Sequence, residues 1–227
     1  MNVFITGAGR GLGLSFTRVY LEQGDSVYAA LRGEETEGLS ALLREFPDTL
    51  HVVKMDVSST ESCNRAADEI TEKLDLIINN AAIQNADSKK ELTDCDLDGA
   101  LLEYNVNALG PLRVVKAFLG HLREGSIVAN ISSEAGSIAT NWRKTEYGYC
   151  MSKAALNRGT VILGEYLKDR KVTVMAIHPG WLKTDMGGKG AMHDPDENAR
   201  ILMEYIDAYK ESEDTPFIDF EGQIFPW

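Results

Sequence analysis

The apolar run Val3–Thr6 passes directly into Gly7-Ala8-Gly9-Arg10-Gly11-Leu12-Gly13, and helical spacing of apolar residues (Leu14, Val19, Tyr20) follows until Gly24. This turn constrains the chain more than any other feature. Glycines at a strand-to-helix junction permit positive φ and let another group approach a backbone that carries no Cβ. The helix that starts there presents unpaired N–H groups and the positive end of its dipole, which suits a phosphate or pyrophosphate. The spacing is Gly-x-x-x-Gly-x-Gly rather than the commoner Gly-x-Gly-x-x-Gly. A glycine-rich turn without a ligand is the plain alternative.

The rest of the chain sets this turn in context. Strand-like runs at Val27–Leu31, His51–Met55, Leu76–Ile78, Ser126–Ile131 and Val172–Ile177 alternate with helical stretches at Leu12–Gln23, Thr36–Glu45, from about Thr60 to Leu74, and Tyr149–Lys168. Ser58-Ser59-Thr60-Glu61 offers N-caps. A long helix is expected from about Asp94 to His121, bent near Gly110-Pro111, with a last helix over Asp196–Lys210 and a terminal strand at Ile218–Phe225. Strands apolar on both sides, separated by helices, predict an α/β fold: a single Rossmann-type, doubly wound parallel sheet with helices on both faces. One domain is expected over 1–227, with an irregular substrate loop at about 183–198.

Charge narrows the partners. The 227 residues carry 23 Lys+Arg and 35 Asp+Glu, a formal net charge of −12. That argues against a broad nucleic-acid or anionic-membrane surface while permitting a local basic pocket. Cys63, Cys95 and Cys150 are odd in number and widely spaced, and the four histidines keep no ligand-like spacing, so neither a disulfide framework nor a metal site is expected. No secretory signal pattern and no apolar run of spanning length is seen, and a cytoplasmic location is expected.

Two constellations carry chemistry. The second strand ends Leu31-Arg32, where dinucleotide folds that prefer NAD place an acid for the ribose hydroxyls. Arg32, with Arg10 in the turn, suits a ribose 2′-phosphate, so NADP(H) is preferred and NAD(H) is the second choice. Farther on, Tyr149 and Lys153 stand at i and i+4, on one helix face. A neighbouring ammonium favours phenolate, so Lys153 is expected to lower the Tyr149 pKa and let the phenol exchange a proton with a carbonyl or alcohol oxygen. Ser132 and Ser133 lie at the end of a strand, where ligands meet an open parallel sheet. Tyr-x-x-x-Lys by itself is usually an exposed helix pair; its weight comes from the company it keeps.

Together these residues resemble the short-chain dehydrogenase/reductase family over nearly all of 1–227. Thr6-Gly7-x-x-x-Gly11-x-Gly13 is similar to the family's cofactor turn, which also takes in Gly9, Arg10 and Leu12. Asp56-Val57 resembles its adenine-contacting pair, and Asn79-Asn80-Ala81-Ala82 its Asn-Asn-Ala-Gly segment. Asn107-Ala108-Leu109-Gly110 resembles its Asn-x-x-Gly helix segment, and Pro179-Gly180-Trp181-Leu182-Lys183-Thr184 its Pro-Gly-x-x-x-Thr segment at the nicotinamide end. The resemblance implies that Tyr149 is the general acid/base and that Lys153 lowers its pKa and binds the nicotinamide ribose. It implies that Ser133, rather than Ser132, polarises the substrate carbonyl, and that Asn107 supports a proton relay to Lys153.

Two departures stand out: Ala82 replaces a glycine, and the interval from Ser133 to Tyr149 is lengthened by a segment holding Trp142-Arg143-Lys144-Thr145, expected as a loop over the substrate entrance. The stretches Tyr147–Asn157 and His178–Gly188, with Gly222-x-x-x-Pro226-Trp227, resemble the subgroup of bacterial C-factor signalling proteins and the carbonyl reductase sniffer. An NADP(H)-dependent oxidoreductase acting on a small carbonyl or alcohol is the leading expectation, as a homodimer or homotetramer. A signalling or nucleotide-sensing protein with little required turnover is the alternative.

Overall fold

The computed structural model describes residues 1–210, 212 and 214–227. Seven strands, β1 (Asn2–Thr6), β2 (Ser26–Leu31), β3 (Leu50–Lys54), β4 (Leu74–Asn79), β5 (Leu122–Ile131), β6 (Thr173–Ile177) and β7 (Phe217–Ile218), form one sheet in the order β3-β2-β1-β4-β5-β6-β7. All six pairings are parallel; Val3 lies beside Val27 on one side and Leu76 on the other. The strand order reverses between β1 and β4, which opens a crevice at their carboxyl ends.

Helices cover both faces: α1 (Gly11–Glu22), α2 (Glu37–Glu45), α3 (Thr60–Asp68), α4 (Ala100–Tyr104), α5 (Gly110–Ala117), α6 (Tyr147–Leu167) and α7 (Pro195–Ala208). Side chains alternate across each strand, so β1 feeds two cores. Val3 and Ile5 pack with Phe16, Tyr20, Leu39 and Leu202 on the α1/α2/α7 side. Phe4 packs with Ala66, Val114, Phe118 and Leu167 on the α3/α5/α6 side. The central strands β1, β2, β4 and β6 are buried along nearly their whole length because they are apolar at successive positions, whereas His51 and Lys54 of the edge strand β3 are exposed. Caps fix where helices begin: Thr36 accepts from Leu39 N–H, Ser59 from Ser62 N–H, and Asp194 from the N–H groups of Asp196 and Glu197. Each cap contributes about 1 kcal/mol.

Three expected boundaries move. The third helix ends at Asp68 rather than near Leu74, because Leu74 already pairs with Leu122 in the sheet. The helix expected from Asp94 begins at Ala100, after Asp96 has accepted the Gly99 N–H in a local turn, and gives way by His121. Its bend is a π-helical turn over Asn105–Leu109, just before Gly110. The expected terminal strand is only Phe217–Ile218. Asp219 accepts from Glu221 and Gln223 N–H, Gly222 takes φ +76, and the chain folds back to bridge Ile224 to Ile218. Among the described residues no helix is long and apolar enough to cross a membrane.

Candidate active site

A cleft of about 880 Å³ runs along the carboxyl ends of β1, β2, β4, β5 and β6. Its floor at one end is the glycine turn. Gly7 and Gly11 hold φ of +67 and +53. A Cβ on Gly13 would stand 2.2 Å from the Gly7 carbonyl oxygen, and one on Gly7 would stand 2.9 Å from the Ala81 Cα. The turn is pinned from below: Thr6 Oγ1 accepts from the N–H groups of Asn80 and Ala81, and Asn80 Nδ2 donates to the Thr6 carbonyl. Arg10 stands at the N-cap of α1 and makes no side-chain cap bond, so the first-turn N–H groups are left for another acceptor. A cradle that excludes Cβ atoms at an uncapped helix start fits a pyrophosphate-bearing ligand.

Gly9, Arg10, Leu12, Arg32, Asp56, Val57, Asn80 and Ala81 line the same end of the cleft. Arg10 donates to Asp185 at 3.0 Å across an exposed pair, which contributes little and is cheap to exchange for another anion. Asp56 accepts from the Ser58 N–H and hydroxyl. Burial pulls its carboxyl up, but those bonds and the Arg32 and Arg113 charges prevail and hold it below its ordinary value. Thr36, which the sequence marked only as a helix start, also lines the cleft and donates to the Gly9 carbonyl at 2.5 Å.

At the other end Ser133, Tyr149, Lys153, Pro179, Gly180, Trp181 and Thr184 come together. Ser133 follows β5; Tyr149 and Lys153 lie one turn apart on α6. Lys153 is buried and donates to the Ile131 carbonyl at 2.8 Å, its ammonium 5.8 Å from the Tyr149 ring centre. Ser132 also lines the cleft, but its proton is engaged by Asn157 at 2.5 Å. Gly180 takes φ +83, and Thr184 packs on Gly11 across the cleft.

Burial dominates the electrostatics at this end. Burial raises the Tyr149 phenol to about 12; Glu134 adds to the rise, and Ser133 opposes it. Lys153 is itself lowered by burial to about 8. Burial is the larger effect on the phenol, and the ammonium's recorded bond is to the Ile131 carbonyl.

Three sequence-chosen residues stand outside the cleft lining. Asn79 donates to Asn130, which donates to Thr160, so it ties β4 and β5 to α6 inside the core rather than facing a ligand. Its strand register with Asn130 places the two side chains on the same face of the sheet. Gly13 acts through its close contact with Gly7. Asn107 exchanges two bonds with the Ile83 backbone at 2.8 Å and donates to Ser152 at 3.0 Å. Its amide is engaged by the loop after β4 and by α6, not by Lys153.

The sequence reading missed a charged cluster beside Ser133. Glu134 accepts from Ser133 and from Arg143, each at 2.5 Å; Arg143 also bonds Glu146, and Glu146 accepts from Gln84 at 2.6 Å. His178 Nδ1 stands 3.9 Å from Glu134. Only the lengthened interval before Tyr149 hinted at the segment that supplies Arg143 and Glu146. Trp142 and Arg143 line the cleft, with the guanidinium 4.8 Å from the indole centre.

Comparison with known proteins agrees with this geometry. The family model for short chain dehydrogenases matches residues 1–194. C-signal of Myxococcus xanthus is 35% identical over 164 residues, 71% of this chain and 98% of that protein. The NADPH-bound carbonyl reductase from chicken fatty liver superposes with a TM-score of 0.91 at 29% identity, covering 100% of this chain and 98% of the other. The carbonyl reductase Sniffer of D. melanogaster superposes with a TM-score of 0.93 at 26% identity, covering 100% and 99%.

Proposed function

The chain belongs to the short-chain dehydrogenase family, and from that premise we propose that it is an NADP(H)-dependent oxidoreductase interconverting a small carbonyl compound and its alcohol. One observation carries the reading: Ser133, Tyr149 and Lys153 share a single cleft with the glycine cradle and Arg32. The NADPH in the chicken carbonyl reductase supports the choice of cofactor. Bound NADP(H) would supply or accept the hydride.

The protein's part is to hold the partners and move the proton. Gly7, Gly9, Gly11 and the α1 N-terminus hold the pyrophosphate, and Arg10 and Arg32 meet the ribose 2′-phosphate. Asp56 and Val57 border the adenine. Pro179, Gly180, Trp181 and Thr184 border the nicotinamide end. Tyr149, protonated across the neutral range with its phenol at about 12, donates its proton to the carbonyl oxygen. Lys153, charged below about 8, binds the ribose and favours the phenolate left behind. Ser133 orients the reacting oxygen. Asn107 acts through Ser152, holding the helix that carries Tyr149 and Lys153. Trp142, Trp181, Met186 and Met192 give the substrate end apolar walls.

The test is Tyr149→Phe. NADPH binding should be kept, while reduction of any aldehyde or ketone that the wild type turns over falls by about 10²–10⁴-fold. Full turnover in that variant would remove the mechanism. The likeness to C-signal favours a second reading, a protein whose role needs bound nucleotide more than turnover. There the biological function would survive Tyr149→Phe and fail in the double variant Arg10→Glu, Arg32→Glu.

A further inference from the structure

Glu146 holds a backbone conformation that its residue type disfavours. Its φ of +66 and ψ of +34 lie in the left-handed region, where a Cβ crowds the following carbonyl. Among the described residues other than glycine, Lys171 alone shares a positive φ, and it closes a helical turn, where such a conformation is common. Glu146 stands instead at the start of α6. A residue there ordinarily has extended backbone and caps the first turn with its side chain. Glu146 does neither. A conformation this far from preference persists only where the surroundings over-determine it.

The contacts of Glu146 supply that. Its N–H donates to the Ser88 carbonyl at 2.7 Å, and its carbonyl accepts from the Cys150 N–H at 2.9 Å. Its buried carboxylate accepts from Gln84 at 2.6 Å and from Arg143 Nη1. The other arm of Arg143 holds Glu134 at 2.5 Å, and Glu134 accepts from Ser133. A side-chain hydrogen bond joins Ser133 to Tyr149, three residues beyond Glu146. The contacts close a ring through Ser133, Glu134, Arg143, Glu146 and Tyr149. We propose that Glu146 is a positioning residue: its carboxylate clamps the left-handed start of α6 and so fixes where Tyr149 stands relative to Ser133. This rests on the reading of those two as the groups that meet the reacting oxygen. Glycine would adopt the same φ freely, so the backbone alone does not call for a carboxylate. What the carboxylate adds is two acceptor oxygens, one for the loop after β4 and one, charge-assisted, for the segment before α6. Without them the first turn of α6 has no side-chain cap to hold it.

Two variants separate reach from backbone. Glu146→Gly keeps the left-handed conformation accessible and removes the clamp. Glu146→Gln keeps the clamp: its oxygen meets Arg143, and its NH₂ meets the Gln84 amide once that amide turns over. With NADPH and a panel of aldehydes that includes 4-nitrobenzaldehyde, kcat should fall by about 10–100-fold in the glycine variant, the cost of a small misplacement of a reacting group. The glutamine variant should stay within about threefold of wild type, less than one net hydrogen bond. Hydrogen exchange at the Cys150 N–H reports the first turn of α6 without turnover, and it should accelerate in the glycine variant only. A purely structural role would lower the melting temperature and leave the kcat of the folded enzyme alone. Glu146→Asn also enters the left-handed region readily but reaches one methylene less; it should lose kcat in the same sense, and serves if the glycine variant does not fold. Unchanged kcat in the folded glycine variant, or equal losses in the glycine and glutamine variants, with Tyr149→Phe inactive, would overturn the clamp and leave the proposed function standing. Turnover equal in Tyr149→Phe and wild type, or no aldehyde reduced by the wild type, would count against the proposed function. The Cys150 exchange then still decides the clamp, which unchanged exchange in the glycine variant would overturn.

Discussion

Lys153 shows at the scale of one residue what the site costs the fold. It is only 2% exposed, and burial lowers its ammonium from 10.5 to about 8. Between about 8 and 10.5 the unfolded chain holds a proton that the folded chain has released, so stability rises with pH across that window. Below it the buried charge is a penalty on the order of 3 kcal/mol, partly offset by the bond to Ile131. Lys153→Met removes the charge and leaves the Ile131 carbonyl without that donor, at a cost of about 1–3 kcal/mol. The variant is expected to melt about 2–4 °C higher than wild type at pH 7. The gain should shrink as pH approaches 10, while turnover collapses. Thermal melts at pH 7, 8.5 and 10 check this; a lower melting temperature at pH 7 would mean that the charge is no net burden. The Tyr-x-x-x-Lys spacing was legible in the sequence, but the lysine's partner was not. Ile131 lies 22 residues away on β5, and only the packing of α6 against that strand decides where the ammonium points.

At the scale of elements, the ends of β1 and β2 and the start of α1 make the end of the cleft proposed above to receive the 2′-phosphate. Arg10 comes from the turn and Arg32 from the residue after β2. Both are exposed, and Arg10 already has Asp185 as a partner, so each contributes less than a buried pair would. Arg32→Ala is expected to weaken NADPH binding by about tenfold, the value of one charge-assisted bond, and to leave NADH nearly unchanged. Parallel titrations measure the ratio, and equal losses for both cofactors would remove the 2′-phosphate assignment. Such elements are legible because strand alternation and glycine position are local. The Glu134–Arg143–Glu146–Gln84 cluster was not, since it joins the loop after β4, the turn after β5 and the segment before α6. The early start assigned to the α4 helix failed for a related reason: helical spacing continues through Asp94–Gly99, but Asp96 captures the Gly99 N–H and forms a turn instead.

For the whole molecule, charge and surface pull in opposite directions. A net charge of −12 makes copies repel one another. Yet α4, α5 and α6 leave large apolar side chains in solvent: Leu101 is 70% exposed, Ile162 56% and Tyr166 65%, and Leu102, Leu112 and Met151 are exposed on the same three helices. Apolar surface on this scale marks an association site more often than a bare monomer surface. Repulsion between exposed charges is screened over about 8 Å at physiological salt, whereas apolar burial is not weakened by screening. Assembly into a homodimer or homotetramer through these helices is therefore expected, and it should tighten as ionic strength rises. Light scattering at 20 mM and 300 mM salt checks the sign. The double variant Leu101→Glu, Ile162→Glu places new charges at exposed positions, so it should dissociate the assembly with the far-ultraviolet spectrum of the fold intact. A wild-type chain that stays monomeric at both salts would show that α4–α6 face solvent in the working protein.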